Sequence, residues 1–235
     1  MSSLGQRLAE IEERILAAAI KAARPREEIE LVVVTKNHPA SLVLELLDLG
    51  CRSFGENRDQ EAKPKAQAVA EAVEASGHAE SRIYNWHFIG QLQSNKVRSA
   101  LSYASVLHSV DRQSLLDAII KVAAERKTSV DMFIQLNLTD DPGRGGIEVK
   151  DLKPFAEQVL LTPNLNLLGV MGVASLEEQP ERDFATIQAA SLELQHLAPE
   201  AKYISAGMSE DFEAAIAFGA THLRIGSAIT GKRQY

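Results

Sequence analysis

Eight short apolar segments, each followed by a polar turn and most by a helical segment, restrict the fold of this chain more than any other feature. Alternation of this kind builds a parallel sheet with helices packed on its faces. We predict strands over residues 31–36, 51–55, 83–89, 105–110, 130–138, 165–173, 203–205 and 221–225. Helices are predicted over residues 40–49, 60–75, 91–100, 114–126, 149–160, 184–197 and 209–218.

The number of strands decides between two parallel architectures. An open doubly wound sheet is the alternative, but eight strands is the number that closes a (β/α)8 TIM-type barrel. We therefore predict a single closed barrel over residues 1–235, because no linker, low-complexity tract or repeat divides the chain. Leu4, Leu8, Ile11 and Ile15 recur at helical spacing and predict an extra N-terminal helix, which could fill the place left empty after the last strand.

Local signals predict where several elements begin. Ser3 and Gln6 have the spacing of a helical capping box. Asp111 is expected to cap the helix after the fourth strand, and Ser209 to begin the helix after the seventh. The turn-forming residues of segment 139–146 predict a loop after the fifth strand.

Composition and charge exclude several classes of protein. The net charge of -7 argues against a non-specific nucleic-acid binder, which needs a basic face. No apolar run approaches the roughly 20 residues that span a bilayer, so no membrane association is expected. The N-terminus lacks the apolar core of a signal peptide. Because Cys51 is the only cysteine, no internal disulfide can form, and a reduced, cytoplasmic location is expected.

Lys36 is the last residue of the most apolar predicted strand. A buried ammonium loses its hydration, so a lysine at this position finds a partner, leaves the core, or serves as a neutral amine for covalent chemistry. One interpretation is that Lys36 has simply reached the exposed end of the strand. The other is that it works at the end of the barrel where active sites gather.

The ends of the last two strands carry the signature of an anion site. Gly207 and Ser209 follow the seventh strand, and Gly226 and Ser227 follow the eighth. Phosphate sites in such barrels commonly lie after these strands. Ser209 as a simple helix cap and Gly226 as a simple turn are the structural alternatives, although their joint occurrence here favours phosphate binding. The sixth strand ends near Met171, another candidate.

Arg224 lies near the end of a predicted buried strand, where a guanidinium needs an acceptor or a cavity. An acidic partner such as Glu56 is the structural alternative, and a pyridine nitrogen is the functional one. Other chemistries are weakly supported: the histidines are spaced too widely for a local metal motif, and segment 143–146 is an incomplete phosphate loop.

Five motifs together resemble the pyridoxal phosphate homeostasis proteins, also called proline synthetase co-transcribed homologues. The resemblance covers nearly the whole chain. The motifs are VTK at 34–36, FGENRDQE at 54–61, WHFIGQLQSNK at 86–96, SAGMSED at 205–211 and RIGSAI at 224–229. Two positions depart from the family pattern: Arg144 replaces a lysine after the fifth strand, and Thr230-Gly231 replaces Phe-Gly after the last.

The resemblance implies an alanine-racemase-type barrel in which Lys36 forms a Schiff base with pyridoxal 5'-phosphate. It implies that Arg224 faces the pyridine nitrogen and that serine and glycine residues hold the phosphate. The cofactor-binding residues expected from strand ends and motifs are Lys36, Asn57, His87, Met171, Ser205, Gly207, Ser209, Arg224, Gly226 and Ser227. Asn57 and His87 are expected to line the pocket, and the two departures leave this set intact.

The implied function is the binding, buffering and delivery of the cofactor, with effects on amino-acid and keto-acid balance, rather than catalysis. Apo enzymes that use pyridoxal 5'-phosphate are the expected partners, and a monomer is expected. A small racemase or lyase is the first alternative, and an interaction protein with a vestigial cofactor site is the second. Racemases on this barrel carry a further all-β domain, which we expect to be absent from this chain.

Overall fold

A computed structural model describes residues 2–76, 83–139, 145–175 and 180–231. Eight parallel strands pair in chain order, and the last pairs with the first, so the sheet closes into a barrel. The strands are β1 (Glu30–Val34), β2 (Ser53–Glu56), β3 (Asn85–Phe88), β4 (Val106–Val110), β5 (Val130–Gln135), β6 (Leu165–Met171), β7 (Tyr203–Ser205) and β8 (His222–Ile225). The predicted TIM-type barrel is confirmed.

Helices surround the barrel and bury their apolar faces against its outer surface. They are α1 (Ser3–Lys21), α2 (Ala40–Asp48), α3 (Asp59–Ser76), α4 (Val97–Ala100), α5 (Gln113–Ala123), α6 (Leu152–Leu160), α7 (Pro180–Leu197), α8 (Phe212–Ala217) and α9 (Ser227–Thr230). The N-terminal helix α1 packs against α8 and α9, beside the last strand. Arg7 Nε on this helix donates to the Ile229 carbonyl at 2.7 Å, which ties the two chain ends together.

The three residues predicted from local signals to cap or begin a helix, Ser3, Asp111 and Ser209, do not do so. The cap of α1 is Ser2, whose hydroxyl accepts from the Gly5 amide. The predicted capping box had placed the cap one residue later, at Ser3. Asp111 does not cap α5, because its carboxylate pairs with the Arg112 guanidinium at 2.6 Å. The helix after β7 begins at Phe212 rather than at Ser209.

Segment 140–144, which includes Arg144 and most of the predicted loop after β5, lies outside the described residues. The segment predicted as a helix over 91–100 is a short 3-10 turn, Ser94–Lys96, followed by the four residues of α4. The β5 strand is shorter than predicted, since its ladder ends at Gln135.

The barrel interior is more polar than the branched aliphatic filling typical of this fold. Glu30 and His222 begin their strands and pair with each other, with 3.3 Å between a carboxylate oxygen and Nε2. His87 and His108 are buried beside them, and their rings pack against each other and near Phe133. The polar residues therefore occupy the lower half of the barrel, below the carboxyl ends of the strands.

Candidate functional site

Lys36 lies at the mouth formed by the carboxyl ends of the strands. The Thr35 amide still pairs with the Gly55 carbonyl at 3.0 Å, so the backbone stays extended one residue beyond β1. Side chains alternate along such a backbone, which gives Lys36 the same direction as Val34, inside the barrel. Lys36 is exposed, and no ion pair holds its amine among the described residues. A free amine at this position can react with a carbonyl compound.

A buried ion pair lies directly behind Lys36, on the outer face of the sheet. Lys65 Nζ on α3 contacts a Glu56 carboxylate oxygen at 2.6 Å and the Thr35 carbonyl at 2.8 Å. The Thr35 hydroxyl donates to the same carboxylate at 2.7 Å. The residue before Lys36 is therefore held through both its side chain and its carbonyl, which fixes the end of β1.

Two hydroxyl groups meet where β7 and β8 end. Ser209 Oγ lies 3.5 Å from Ser227 Oγ, and both residues reach solvent. Gly207 has φ +91, and a Cβ there would lie 2.8 Å from the Ala215 Cβ, so only glycine fits this turn. Gly226 is partly exposed beside Ser227 and also carries no side chain over this space. Small residues and two hydroxyls leave room for an anion with several oxygens.

The anion site does not rest on the helix that the sequence predicted. Asp211, rather than Ser209, precedes α8, and its carboxylate accepts from the Met208 amide at 2.6 Å. Burial raises the pKa of Asp211, although the hydrogen bond from the Met208 amide and the charge of Arg224 act in the opposite direction. The turn that presents Ser209 is thus shaped by Asp211, a residue that strand-end reasoning did not single out.

Arg224 is buried inside the barrel without an acidic partner in hydrogen-bonding contact among the described residues. Its guanidinium donates to Ser205 Oγ at 2.6 Å and to the Gly172 carbonyl at 2.9 Å. The alternative that Glu56 neutralises it is wrong, because Glu56 pairs with Lys65 on the outer face of the sheet. Burial lowers the pKa of Arg224 to about 10, so the group remains a cation at neutral pH.

Met171 and Ser205 are register partners near the ends of β6 and β7, and both are buried. Ser205 contacts Arg224 directly, so it acts on the pocket through the guanidinium. His87 lies deeper: its Nδ1 is 2.9 Å from His108 Nε2, and its Nε2 faces Glu30 at the start of β1. Any effect of His87 on the mouth of the barrel therefore passes through these neighbours.

Asn57 follows β2, the neighbour of β1, and lines a cavity of about 760 Å³ at the carboxyl ends of β2 to β5. Its Oδ1 is buried and has no hydrogen-bond partner among the described residues. Charged residues that follow strand ends add to the lining, and sequence reasoning missed them: Arg58, Asp59, Lys96, Asp111 and Arg112. Listing charged as well as small residues at every strand end would have found them.

These groups fit a phosphorylated aldehyde with an aromatic nitrogen. Lys36 supplies a free amine, Ser209 and Ser227 supply hydroxyls, and Arg224 supplies a buried donor that lacks an anion. No group of three histidine, cysteine or acidic residues in the described ranges could hold a metal ion. None of the helices over the same ranges is long and apolar enough to cross a bilayer.

The fold and the strand-end residues define a barrel of the alanine racemase type. The family profile described as alanine racemase, N-terminal domain, matches residues 7–234. A solved structure of PipY from Synechococcus elongatus, described as having pyridoxal 5'-phosphate (PLP) bound, superposes with a TM-score of 0.81 at 31% identity. The superposition covers 97% of this chain and 100% of PipY.

Two curated relatives share one name. A pyridoxal phosphate homeostasis protein of Mycobacterium leprae is 37% identical over 98% of this chain and 93% of its own length. The protein of that name from Escherichia coli K12 is 35% identical over 100% of this chain and 99% of its own length. The chain belongs to the pyridoxal phosphate homeostasis protein family.

Proposed function

We propose that this protein binds pyridoxal 5'-phosphate through a Schiff base with Lys36 and serves to buffer and deliver the cofactor. The observation that carries the proposal is the convergence of a free amine, two hydroxyls and a buried guanidinium at one mouth of the barrel. PipY, a relative of matching length, was solved with this cofactor, which supports the assignment.

Each residue has a role that its contacts support. Lys36 takes the aldehyde carbon, whereas Ser209, Ser227, Gly207 and Gly226 surround the phosphate. Arg224 donates to the pyridine nitrogen and is held from below by Ser205. Met171 packs beside Ser205, and Asn57 offers its unpartnered oxygen from the end of β2, the strand next to β1.

The charge of Arg224 favours holding the cofactor over catalysis with it. When bound, pyridoxal 5'-phosphate supplies an electron sink, which is strongest when its ring nitrogen is protonated. A guanidinium with a pKa of about 10 stays cationic at neutral pH and opposes a second positive charge on the nitrogen beside it. The proposed setting is a cytoplasmic monomer that hands the cofactor to apo enzymes.

Turnover separates this proposal from the racemase alternative. Loaded protein incubated with a panel of L- and D-amino acids in deuterated water should exchange Cα protons well below the roughly 1 s⁻¹ low end of ordinary enzymes. NMR follows exchange and chirality. In parallel, an apo enzyme that needs the cofactor should recover activity when mixed with loaded protein. Racemisation at enzymatic rates would overturn the carrier function, and failure of transfer would remove delivery from it.

The phosphate contacts predict a preference for the phosphorylated cofactor. Ser209→Ala removes one hydrogen bond to a charged group, worth about 1.5–3 kcal/mol, so the Kd should rise by at least about tenfold. Pyridoxal without phosphate should bind more weakly still and should not distinguish the variant from the wild type. Fluorescence titration measures both, and Ser102→Ala, on the far side of the barrel, is a control. Equal affinity for the two ligands would remove the phosphate site from this turn.

A further inference from the structure

Hydrogen-bonded side chains run through the barrel interior from Arg224 to His87, which faces Glu30 at the opposite mouth. Ser205 Oγ lies 2.6 Å from the guanidinium and 2.8 Å from His108 Nδ1. His108 Nε2 lies 2.9 Å from His87 Nδ1. His87 Nε2 faces a carboxylate oxygen of Glu30 at 3.6 Å, too far for a hydrogen bond, and has no hydrogen-bond partner among the described residues. Four of these five residues are buried, and only Glu30 reaches solvent. Burying polar groups costs free energy, which the hydrogen bonds between Arg224, Ser205, His108 and His87 offset.

The donors in this line can point in only one consistent direction. A guanidinium only donates, so Ser205 Oγ accepts from Arg224 and its own proton is left for His108 Nδ1. His108 must then carry its proton on Nε2 and donate to His87 Nδ1. His87 in turn carries its proton on Nε2, which faces the Glu30 carboxylate.

The reverse direction leaves more groups unsatisfied. If His108 carried its proton on Nδ1, Ser205 Oγ would accept twice and its own proton would lose its acceptor. His87 would then turn an unprotonated nitrogen toward a carboxylate. Burial lowers the pKa of both His87 and His108, which keeps the two rings neutral, each with a single proton. Glu30 stays ionised, because its contacts with His222, His87 and Ser53 lower its pKa.

We propose that Ser205, His108 and His87 are positioning residues that fix the orientation of Arg224 and thereby set the hydrogen bond it makes to the cofactor's ring nitrogen. The inference rests on the proposed function, since it concerns the arginine assigned to that ring. His108 Nδ1 accepts the proton of the Ser205 hydroxyl, so the serine oxygen is oriented to accept from the Arg224 guanidinium. Without His108, the hydroxyl can rotate and Arg224 keeps only the Gly172 carbonyl as a fixed anchor.

A control lies in the same layer of the barrel. His222 is also buried, and its ring lies 6.2 Å from that of His108. Its nitrogens, however, contact the Thr221 hydroxyl and Glu30, so it does not stand between His108 and Arg224. His222→Phe therefore makes the same chemical change as His108→Phe, but it touches only Glu30 at the far end of the line and none of the hydrogen bonds between His87 and Arg224.

The first test uses the empty protein and needs no cofactor. In protein labelled with nitrogen-15 histidine, long-range proton–nitrogen correlations report which ring nitrogen carries the proton. The line predicts the Nε2-protonated form for both His87 and His108, assigned by comparison with variants at each position. An Nδ1 proton on His108, or a doubly protonated ring at neutral pH, would overturn the proposal whether or not the cofactor binds.

The second test uses loaded protein and cofactor labelled with nitrogen-15 in the pyridine ring. Ser205→Ala and His108→Phe should move the ring-nitrogen resonance in the same direction as Arg224→Gln, and weaken binding by about three- to tenfold. His222→Phe should leave the resonance at its wild-type position. If His108→Phe does not fold, Ser205→Ala removes the same link with a smaller change in volume.

Two results of this second test would overturn the inference. One is a wild-type resonance position in a folded, loaded Ser205→Ala protein; the other is an equal shift in His222→Phe. Absence of any bound cofactor in the wild type would instead refute the proposed function. The tautomer measurement would still test the predicted hydrogen-bond directions between Arg224, Ser205, His108 and His87.

Discussion

Lys36→Ala is expected to abolish covalent capture of pyridoxal 5'-phosphate. A Schiff base needs a primary amine, and among the described residues Lys36 is the lysine that follows a strand directly at the mouth of the barrel. The wild-type protein should show a visible absorption band with the cofactor and, after borohydride reduction, a stable adduct on the peptide that contains Lys36. The variant should show neither. Absorbance measures the band, and intact mass with peptide mapping measures the adduct.

Two variants control this experiment. Lys36→Arg keeps the positive charge but offers no amine that can form the adduct, so it should behave like the alanine variant. Lys96→Ala removes another lysine at the same end of the barrel and should leave the adduct at wild-type level. A reducible adduct that persists on a different lysine in Lys36→Ala would move the site elsewhere.

Lys65→Met is expected to lower the free energy of unfolding by about 3–5 kcal/mol, because it leaves the Glu56 carboxylate buried without its counter-charge. Only 7% of the Lys65 side chain and none of the Glu56 side chain is exposed, so solvent cannot replace the lost partner. The pair also holds the Thr35 carbonyl, which makes the end of β1 the region that should loosen first. Urea denaturation measures the global loss, and hydrogen exchange the local one.

Removal of both charges distinguishes the ion pair from simple packing. The double variant Glu56→Gln/Lys65→Met should recover much of the lost stability, since no uncompensated charge remains. Arg98→Met breaks an ion pair with Glu125 in which both side chains are exposed, so it should change the free energy of unfolding little. Equal losses in Lys65→Met and Arg98→Met would contradict the account.

The architecture could be predicted because the sequence contains eight apolar strand segments, most of them followed by a helical segment. Eight parallel strands of this kind close into a barrel. The mouth could be predicted because a barrel brings the ends of its strands together, so Lys36, Ser209 and Ser227 needed only correct strand ends. Local caps were harder to predict. Ser2 and Ser3 are equally good caps by residue type, and only the turn geometry selects Ser2.

The polar interior could not be predicted, since its members are scattered over the whole sequence. Glu30 and His108 each look like an ordinary strand residue, and their contact with His87 depends on register across several strands. Lys65 lies in a helix rich in alanine, glutamate and lysine, a composition that predicts a solvent-exposed lysine. Its burial follows from the short distance between α3 and the end of β1, which no local pattern records.

The pairing of β8 with β1 brings the first and last strands of the sequence together, with Val32 opposite Arg224. The proposed pocket straddles this closing seam, since Lys36 follows β1 whereas Arg224 and Ser227 belong to the other side. A chain that has not yet added its last strand lacks Arg224, Gly226 and Ser227 of the proposed pocket, so we expect only the closed barrel to take up the cofactor. A ligand that contacts residues after both β1 and β8 stabilises the native state, because it binds the folded protein and not the unfolded chain. Loaded molecules are consequently expected to open at this seam less often than empty ones.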